Sequence, residues 1–184
     1  MSSVTLPGSA ANSVTLAGFD RLAGGALADS VTVSGALSDA IVDLGDGTDS
    51  LLLADGGNRL LVSGVESLTG GAGTDTILLL APITDARIDL KGGSDLLVLA
   101  DGTNFVTLTG AGAETVLGGA GDDDIHSAAR MLGFYSLGAG ADGLTMISTR
   151  GNAVTIAADI ETVTGNRGVE EVTVLGAATG MRID

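Results

Sequence analysis

Two stretches decide how this chain reads: ESLTGGAGTDTILL at 66–79 and ETVLGGAGDDDIHS at 114–127. Each runs from an acidic residue through a short aliphatic piece into a G-G-A-G turn. A second acidic residue and a second aliphatic piece follow. The aliphatic pieces are four or five residues long and rich in Leu, Val, Ile and Thr. Gly and Asp bound them on both sides, which is the pattern of short strands between tight turns. A helix does not survive this pattern, because Gly interrupts every ten residues or so.

Working outward, the same grammar returns along the whole chain. Asp20, Glu66, Glu114 and Glu161 precede similar strands at spacings of 46, 48 and 47. An independent set, Asn12, Asn58, Asn104 and Asn152, is spaced 46, 46 and 48. The 184 residues therefore hold four units of about 46. A second acidic series, Asp29, Asp49, Asp75, Asp95, Asp123, Asp142 and Glu170, has alternating spacings of 20, 26, 20, 28, 19 and 28. Its mean suggests half-units of about 23 residues, eight in all. A fixed period of short strands and Gly/Asp corners predicts an all-β fold, a single parallel β-solenoid (β-helix or β-roll) of about eight coils spanning 1–184. Leu, Val and Ile would face inward, and Gly would make the corners. A β-sandwich is the rival, but it gives no reason for the corners to recur at a fixed period.

The segments 70–77 (GGAGTDTI) and 118–125 (GGAGDDDI) match a nine-residue G-G-x-G-x-D-x-U-x pattern. In this the chain resembles the RTX, or haemolysin-type, repeat of bacterial secreted and cell-surface proteins. Asp49, Asp95 and Asp142 lie in shortened versions, and Asp29 and Glu170 in degenerate ones. The resemblance implies Ca²⁺ held between neighbouring coils. The ligands would be Asp49, Asp75, Asp95, Asp123 and Asp142, with backbone carbonyls around Gly47, Gly73, Gly93, Gly121 and Gly140. It also implies export by a type I-like route that needs no signal peptide.

Physical chemistry bears on the same corners. Coils of a parallel solenoid lie about 4.8 Å apart. Carboxylates stacked at that distance repel by roughly 3 kcal/mol per pair at an effective dielectric near 20. A hard cation with oxygen ligands would relieve this. The alternative is that Gly and Asp only make tight turns, with the carboxylates in water. Asn12, Asn58, Asn104 and Asn152 read as turn formers rather than as a touching ladder. Asp20, Glu66, Glu114 and Glu161 read as solvated or corner-satisfying acids.

Composition narrows the function. The chain carries 23 Asp and Glu against 8 Lys and Arg, a formal charge of −15, so nucleic acid and anionic membrane surfaces are poor partners. It has no Cys, hence neither a disulfide nor thiolate chemistry. The N-terminus has no basic segment followed by an apolar run, and no apolar run is long enough to insert in a bilayer. Catalysis is not expected. His126 is the single histidine, and no nucleophile or zinc motif is present. The basic residues look scattered, which disfavours a polyuronate-active β-helix enzyme, and the Thr residues form no T-x-T ice-binding array.

The leading expectation is a secreted or cell-surface structural protein. It would assemble head to tail with itself into filaments or a matrix layer stabilised by calcium, with a cell-surface polysaccharide as a further partner. Inward-facing Val14 and Val174 would lie near the two joints, and eight coils would give an axial rise of about 38 Å. The alternative is a monomeric calcium-binding RTX-like module, such as an adhesin or passenger fragment.

Overall fold

The computed structural model describes residues 1–110 and 112–184. After β1 (Ser3–Thr5), the strands fall into the four repeats. The first repeat holds β2 (Ser13–Leu16), β3 (Arg21–Gly25), β4 (Ser30–Val33), β5 (Ser38–Gly45) and β6 (Ser50–Leu52). The second holds β7 (Arg59–Ser63), β8 (Ser67–Thr69), β9 (Thr76–Leu79), β10 (Ala86–Asp89) and β11 (Leu96–Val98). The third holds β12 (Asn104–Leu108), β13 (Thr115–Leu117), β14 (Asp123–Ser127), β15 (Leu132–Ser136) and β16 (Gly143–Met146). The last holds β17 (Ala153–Ala157), β18 (Thr162–Thr164), β19 (Glu171–Leu175) and β20 (Arg182–Ile183).

Odd-numbered strands make one ten-stranded sheet, A, and even-numbered strands make a second, B. All neighbours pair in parallel, and no described residue is helical. The result is a parallel β-solenoid of about nine turns with roughly 19 residues per turn. The solenoid is as expected, but eight coils of 23 residues is not. Asn12 leads into β2 in sheet B, Asn58 into β7 in sheet A, and Asn104 into β12 in sheet B again. One sequence repeat is thus five strands, or two and a half turns. Consecutive repeats therefore emerge on opposite edges of the solenoid.

The interior follows from the two-residue period of a strand. Leu60, Ile77, Leu97, Val116, Tyr135 and Ile156 stack in register on successive coils of sheet A, each at most 1% exposed. Burying each such aliphatic side chain stabilises the fold by roughly 1.5–3 kcal/mol. Tyr135 is the one large polar intruder, and its hydroxyl donates to the Ala113 carbonyl at 2.9 Å. Val14 and Val174 pack against this core from the first and last coils.

Candidate functional site

Just before many strands the chain turns inward and buries a polar side chain. Asp29, Asp49, Asp75, Asp95, Asp123, Asp142, Asn58, Asn104 and Asn152 are all buried. They are joined coil to coil in ladders with one recurrent order: Asn, Asp, Asp, Glu. In the ladder at the corners leading into sheet A, the Asn58 backbone N–H and Nδ2 donate to Asp75 Oδ1 at 2.9 and 2.8 Å. The Asp75 N–H donates to Asp95 Oδ1 at 2.7 Å, and the Asp95 N–H to Glu114 Oε2 at 2.8 Å. At the corners leading into sheet B the same order appears in Asn104, Asp123, Asp142 and Glu161. It also appears in Asn12, Asp29, Asp49 and Glu66. Asn152 and Glu170 form the start of a fourth, leading into sheet A. An apolar residue heads three of the ladders: the N–H groups of Leu37, Ile83 and Met131 donate to Asn58, Asn104 and Asn152 Oδ1.

The five acidic residues expected to line one edge therefore lie on two. Asp75 and Asp95 lead into sheet A, whereas Asp49, Asp123 and Asp142 lead into sheet B. They are not turn carboxylates pointing to water. The asparagines do form turns, since Asn58 Nδ2 donates to the Ala54 and Gly56 carbonyls, both at 3.0 Å. They also touch the next coil, which the turn-former reading leaves out. Glu66, Glu114 and Glu161 satisfy corners as the feet of the ladders.

The glycines let coil backbones meet. A Cβ on Gly93 would lie 2.5 Å from the Gly73 carbonyl oxygen, and one on Gly73 would lie 2.4 Å from the Gly56 carbonyl carbon. Gly140, Gly121 and Gly102 make the equivalent stack on the opposite edge. A Cβ on Gly47 would meet Asp49 Oδ1 at 2.9 Å.

One oxygen of each second Asp is engaged, while the other, Oδ2 of Asp49, Asp95 and Asp142, is buried without a partner; so is Asp123 Oδ2. A buried carboxyl oxygen in this position takes a proton or a cation. Among the described residues no three acidic or His side chains converge on one point, so a calcium ion would draw most of its ligands from backbone carbonyls. Asp75 has both oxygens committed, the second to the Gly71 N–H at 3.0 Å, and fits a cation least.

Burial pushes Asp95 and Asp142 up to about 6, and neighbouring carboxylates add to the shift: Glu114 and Asp75 for the first, Asp123, Glu161 and Asp159 for the second. Burial also raises Asp49 and Asp123. The folded protein therefore holds protons between about pH 4 and 6 that the unfolded chain has released. This stability is fully present below about pH 4 and is lost as pH rises toward 6. In EDTA, lowering the pH from neutral to 5 should raise Tm by several degrees, at about 1 kcal/mol per carboxyl. Asp95→Asn with Asp142→Asn keeps the acceptor and removes the charge, so it should flatten this pH dependence. An unchanged slope in the double variant would contradict the assignment.

Two basic residues treated as scattered are brought together. Arg130 and Arg150 line an open groove of about 630 Å³ with Glu114, Leu132 and Ile147, and Arg130 Nε donates to the Gly151 carbonyl at 2.9 Å. Their spacing of 20 residues, one coil, is the signal that would have found them. His126 stands outward on β14, with Nε2 3.3 Å from Asp124 Oδ1 and its ring edge-on to Phe105. The site and fold define a parallel β-solenoid with buried Asn-Asp-Asp-Glu ladders at alternating corners. The chain matches no protein family, curated protein or solved structure with which it was compared.

Proposed function

We propose that this chain is a non-catalytic structural solenoid that stacks head to tail into filaments or a surface or matrix layer outside the cell, with calcium as a stabilising ligand. The observation that supports this reading is the additive geometry of the coils: strands pair in parallel and the ladders bond coil to coil, so a further coil can be added along the axis by the same contacts. The N-terminal coil holds Ser2 and Asp20, linked by a hydrogen bond from the Ser2 N–H to the Asp20 carboxylate, as the third and fourth members of a sheet A ladder. The C-terminal coil holds the first two members, Asn152 and Glu170. Placing β1 of one copy beside β19 of another would set β2 beside β20 and bring Asn152, Glu170, Ser2 and Asp20 into one column, in which Glu170 and Ser2 stand where the complete ladders carry Asp and Asp20 where they carry Glu. Half-buried Val172, Val174 and Met181 would then cover Val4, Val14 and Leu16.

Ten strands per sheet give an axial rise of about 48 Å, replacing the 38 Å that follows from eight coils. A non-closing contact of this type makes an open filament. The extracellular setting and the signal-independent export rest on the haemolysin-type segments 70–77 and 118–125. The Arg130 and Arg150 groove is the surface that best fits an acidic polysaccharide.

Electron microscopy and light scattering test the assembly. Filaments should form, and Val14→Lys or Val174→Lys should abolish them while the middle coils stay folded. A monodisperse monomer at high concentration, with and without calcium, would overturn the filament and leave the monomeric calcium-binding module. For calcium, EDTA near pH 7.5 should lower Tm, since a ligand held only by the folded state stabilises it. An unchanged Tm would mean that calcium does not stabilise the ladder corners.

A further inference from the structure

Over the last coils, charge is segregated between the two edges of the solenoid. Where the chain crosses from sheet B to sheet A, the connections at 128–131, 147–152 and 165–170 carry Arg130, Arg150 and Arg167. Where it crosses back, the connections at 118–122, 137–142 and 158–161 carry Asp122, Asp142, Asp159 and Glu161 and no basic residue. Three of the 8 Lys and Arg in a chain of net charge −15 thus share one short edge. All three are exposed. Among the described residues none of them is in an ion pair, whereas Arg59 pairs with Asp39 and Arg182 with Asp184. The one acid of the arginine connections, Glu170, is turned into a ladder by its bonds to Asn152.

Two of these arginines line the groove of about 630 Å³. Its lining comes from three successive coils: Gly110 and Glu114 on the first, Arg130 and Leu132 on the second, Ile147 and Arg150 on the third. The groove therefore runs along the solenoid axis. On the next coil, Asn166 Nδ2 donates to the Ile147 carbonyl, which seats the connection bearing Arg167 on the one bearing Arg150. The bond from Arg130 Nε to the Gly151 carbonyl fixes that guanidinium and leaves its two terminal nitrogens, the end that grips a carboxylate as a fork. Leu132 and Ile147 are 45% and 48% exposed. Aliphatic side chains this open beside unpaired arginines suit a ligand that offers both charge and C–H surface. Glu114 repels an anion at its own end, so the ligand is directed from Arg130 toward Arg150 and Arg167.

We propose that this edge binds a linear acidic polysaccharide with one carboxylate per sugar, laid along the solenoid axis. This rests on the acidic-polysaccharide partner named above and gives it a charge spacing and a direction. Arginines that recur once per coil ask for anions about 4.8 Å apart in a line, close to the length of one sugar unit in an extended chain. The edge from Arg130 to Arg167 would engage about three such units. Sugar rings also supply the C–H faces that Leu132 and Ile147 match. No aromatic side chain lines the groove among the described residues, so the bases of a single-stranded nucleic acid have nothing to stack on. The net charge of −15 repels any polyanion, but at physiological salt this repulsion is screened beyond about 8 Å. Recognition is then local, and on this edge the local charge is positive.

Calorimetric titration of the full chain tests this, with an oligogalacturonate long enough to reach all three arginines and a neutral galactose oligomer of the same length. The uronate should bind, more weakly as salt is added, and the neutral oligomer should not. Arg130→Gln with Arg150→Gln should weaken binding about tenfold or more with unchanged circular dichroism, and Arg167→Gln should weaken it by a smaller factor. Arg59→Gln, on the early coils, should leave it unchanged. Leu132→Ser should weaken the uronate but not inorganic polyphosphate. Uronate binding that ignores the arginine variants would overturn this site and keep the polysaccharide partner; no uronate binding at all would overturn both. Polyphosphate or single-stranded DNA bound as tightly as the uronate, with no effect of Leu132→Ser, would make the edge a general anion surface and overturn the sugar assignment. Self-association that the arginine variants abolish, without uronate binding, would make the occupant the acidic edge of a second copy and overturn it too. Filaments are read separately by light scattering without sugar, so a failed titration leaves the axial joint standing.

Discussion

Asp75→Ala is expected to cost about 3–5 kcal/mol of stability, because it strands several buried donors at once. Asp75 is fully buried and lies in the middle of a ladder. Its Oδ1 accepts from the backbone N–H and from Nδ2 of Asn58, and its Oδ2 accepts from the Gly71 N–H. Asn58 Nδ2 keeps the Ala54 and Gly56 carbonyls after the substitution, but the two backbone N–H groups keep nothing. Each unsatisfied buried donor costs about 1–3 kcal/mol. Glu66→Ala is the matched comparison. Glu66 is the half-exposed foot of another ladder and takes the Asp49 N–H at 2.7 Å, a group that water can reach once the side chain is gone. Its loss should cost about 1 kcal/mol. Denaturant unfolding of the two variants reads the difference. Equal costs would mean that the ladders are not what holds the coils in register.

The ladders also explain what the sequence showed and what it concealed. Strand, turn and repeat were legible because the aliphatic pieces and Gly/Asp corners obey local rules. The coil length was not. The alternating spacings of 20 and 26 between Asp29, Asp49 and Asp75 are one coil within a sheet B ladder and then a step of about one and a half coils to the other edge. Averaging them to 23 hid a repeat that is not a whole number of turns. The asparagine period of about 46 carries the same half turn, so Asn12 and Asn58 stand on opposite edges and never stack.

Burial of the carboxylates was concealed for a related reason. An Asp beside Gly reads as an exposed turn residue, and its burial depends on an N–H supplied 20 residues earlier by the previous coil, as Asp75 supplies Asp95. Local pattern does not report such a partner, but a corrected coil length would have. At one coil of 17 to 20 residues, Asn58, Asp75, Asp95 and Glu114 fall into a single column, and so do Arg130 and Arg150 at the groove.

The second large effect comes from a glycine that no turn rule would single out. Gly24, Gly70 and Gly118 stand five residues before Asp29, Asp75 and Asp123, the first ladder Asp of successive repeats. At each the following coil occupies the space of a side chain. A Cβ would lie 2.2 Å from the Leu44 carbonyl oxygen at Gly24, 2.8 Å from that of Leu90 at Gly70, and 2.0 Å from that of Leu137 at Gly118. At Gly118 it would also meet the buried Asp123 Oδ2 at 2.6 Å. These obstacles are backbone and a locked carboxylate, so relief requires the coils to separate. The Gly118 N–H to Ser136 carbonyl bond of 2.7 Å and the Asp123 N–H to Asp142 bond of 2.8 Å would stretch with them. Gly118→Ala should therefore cost about 3–5 kcal/mol, at or above the usual range for overpacking, because hydrogen bonds are strained together with the contact. Gly92→Ala, with no atom within 4 Å of the new Cβ, should stay within about 0.5 kcal/mol of the parent. Gly165 holds the same repeat position ahead of Glu170, but the nearest atom there is the flexible Glu170 Cγ at 3.2 Å, so Gly165→Ala should be mild. Urea midpoints for the three variants test this order. A Gly118→Ala protein as stable as Gly165→Ala would show that the coils can part freely, and the close stacking of backbone on backbone would then not be what fixes the solenoid's pitch.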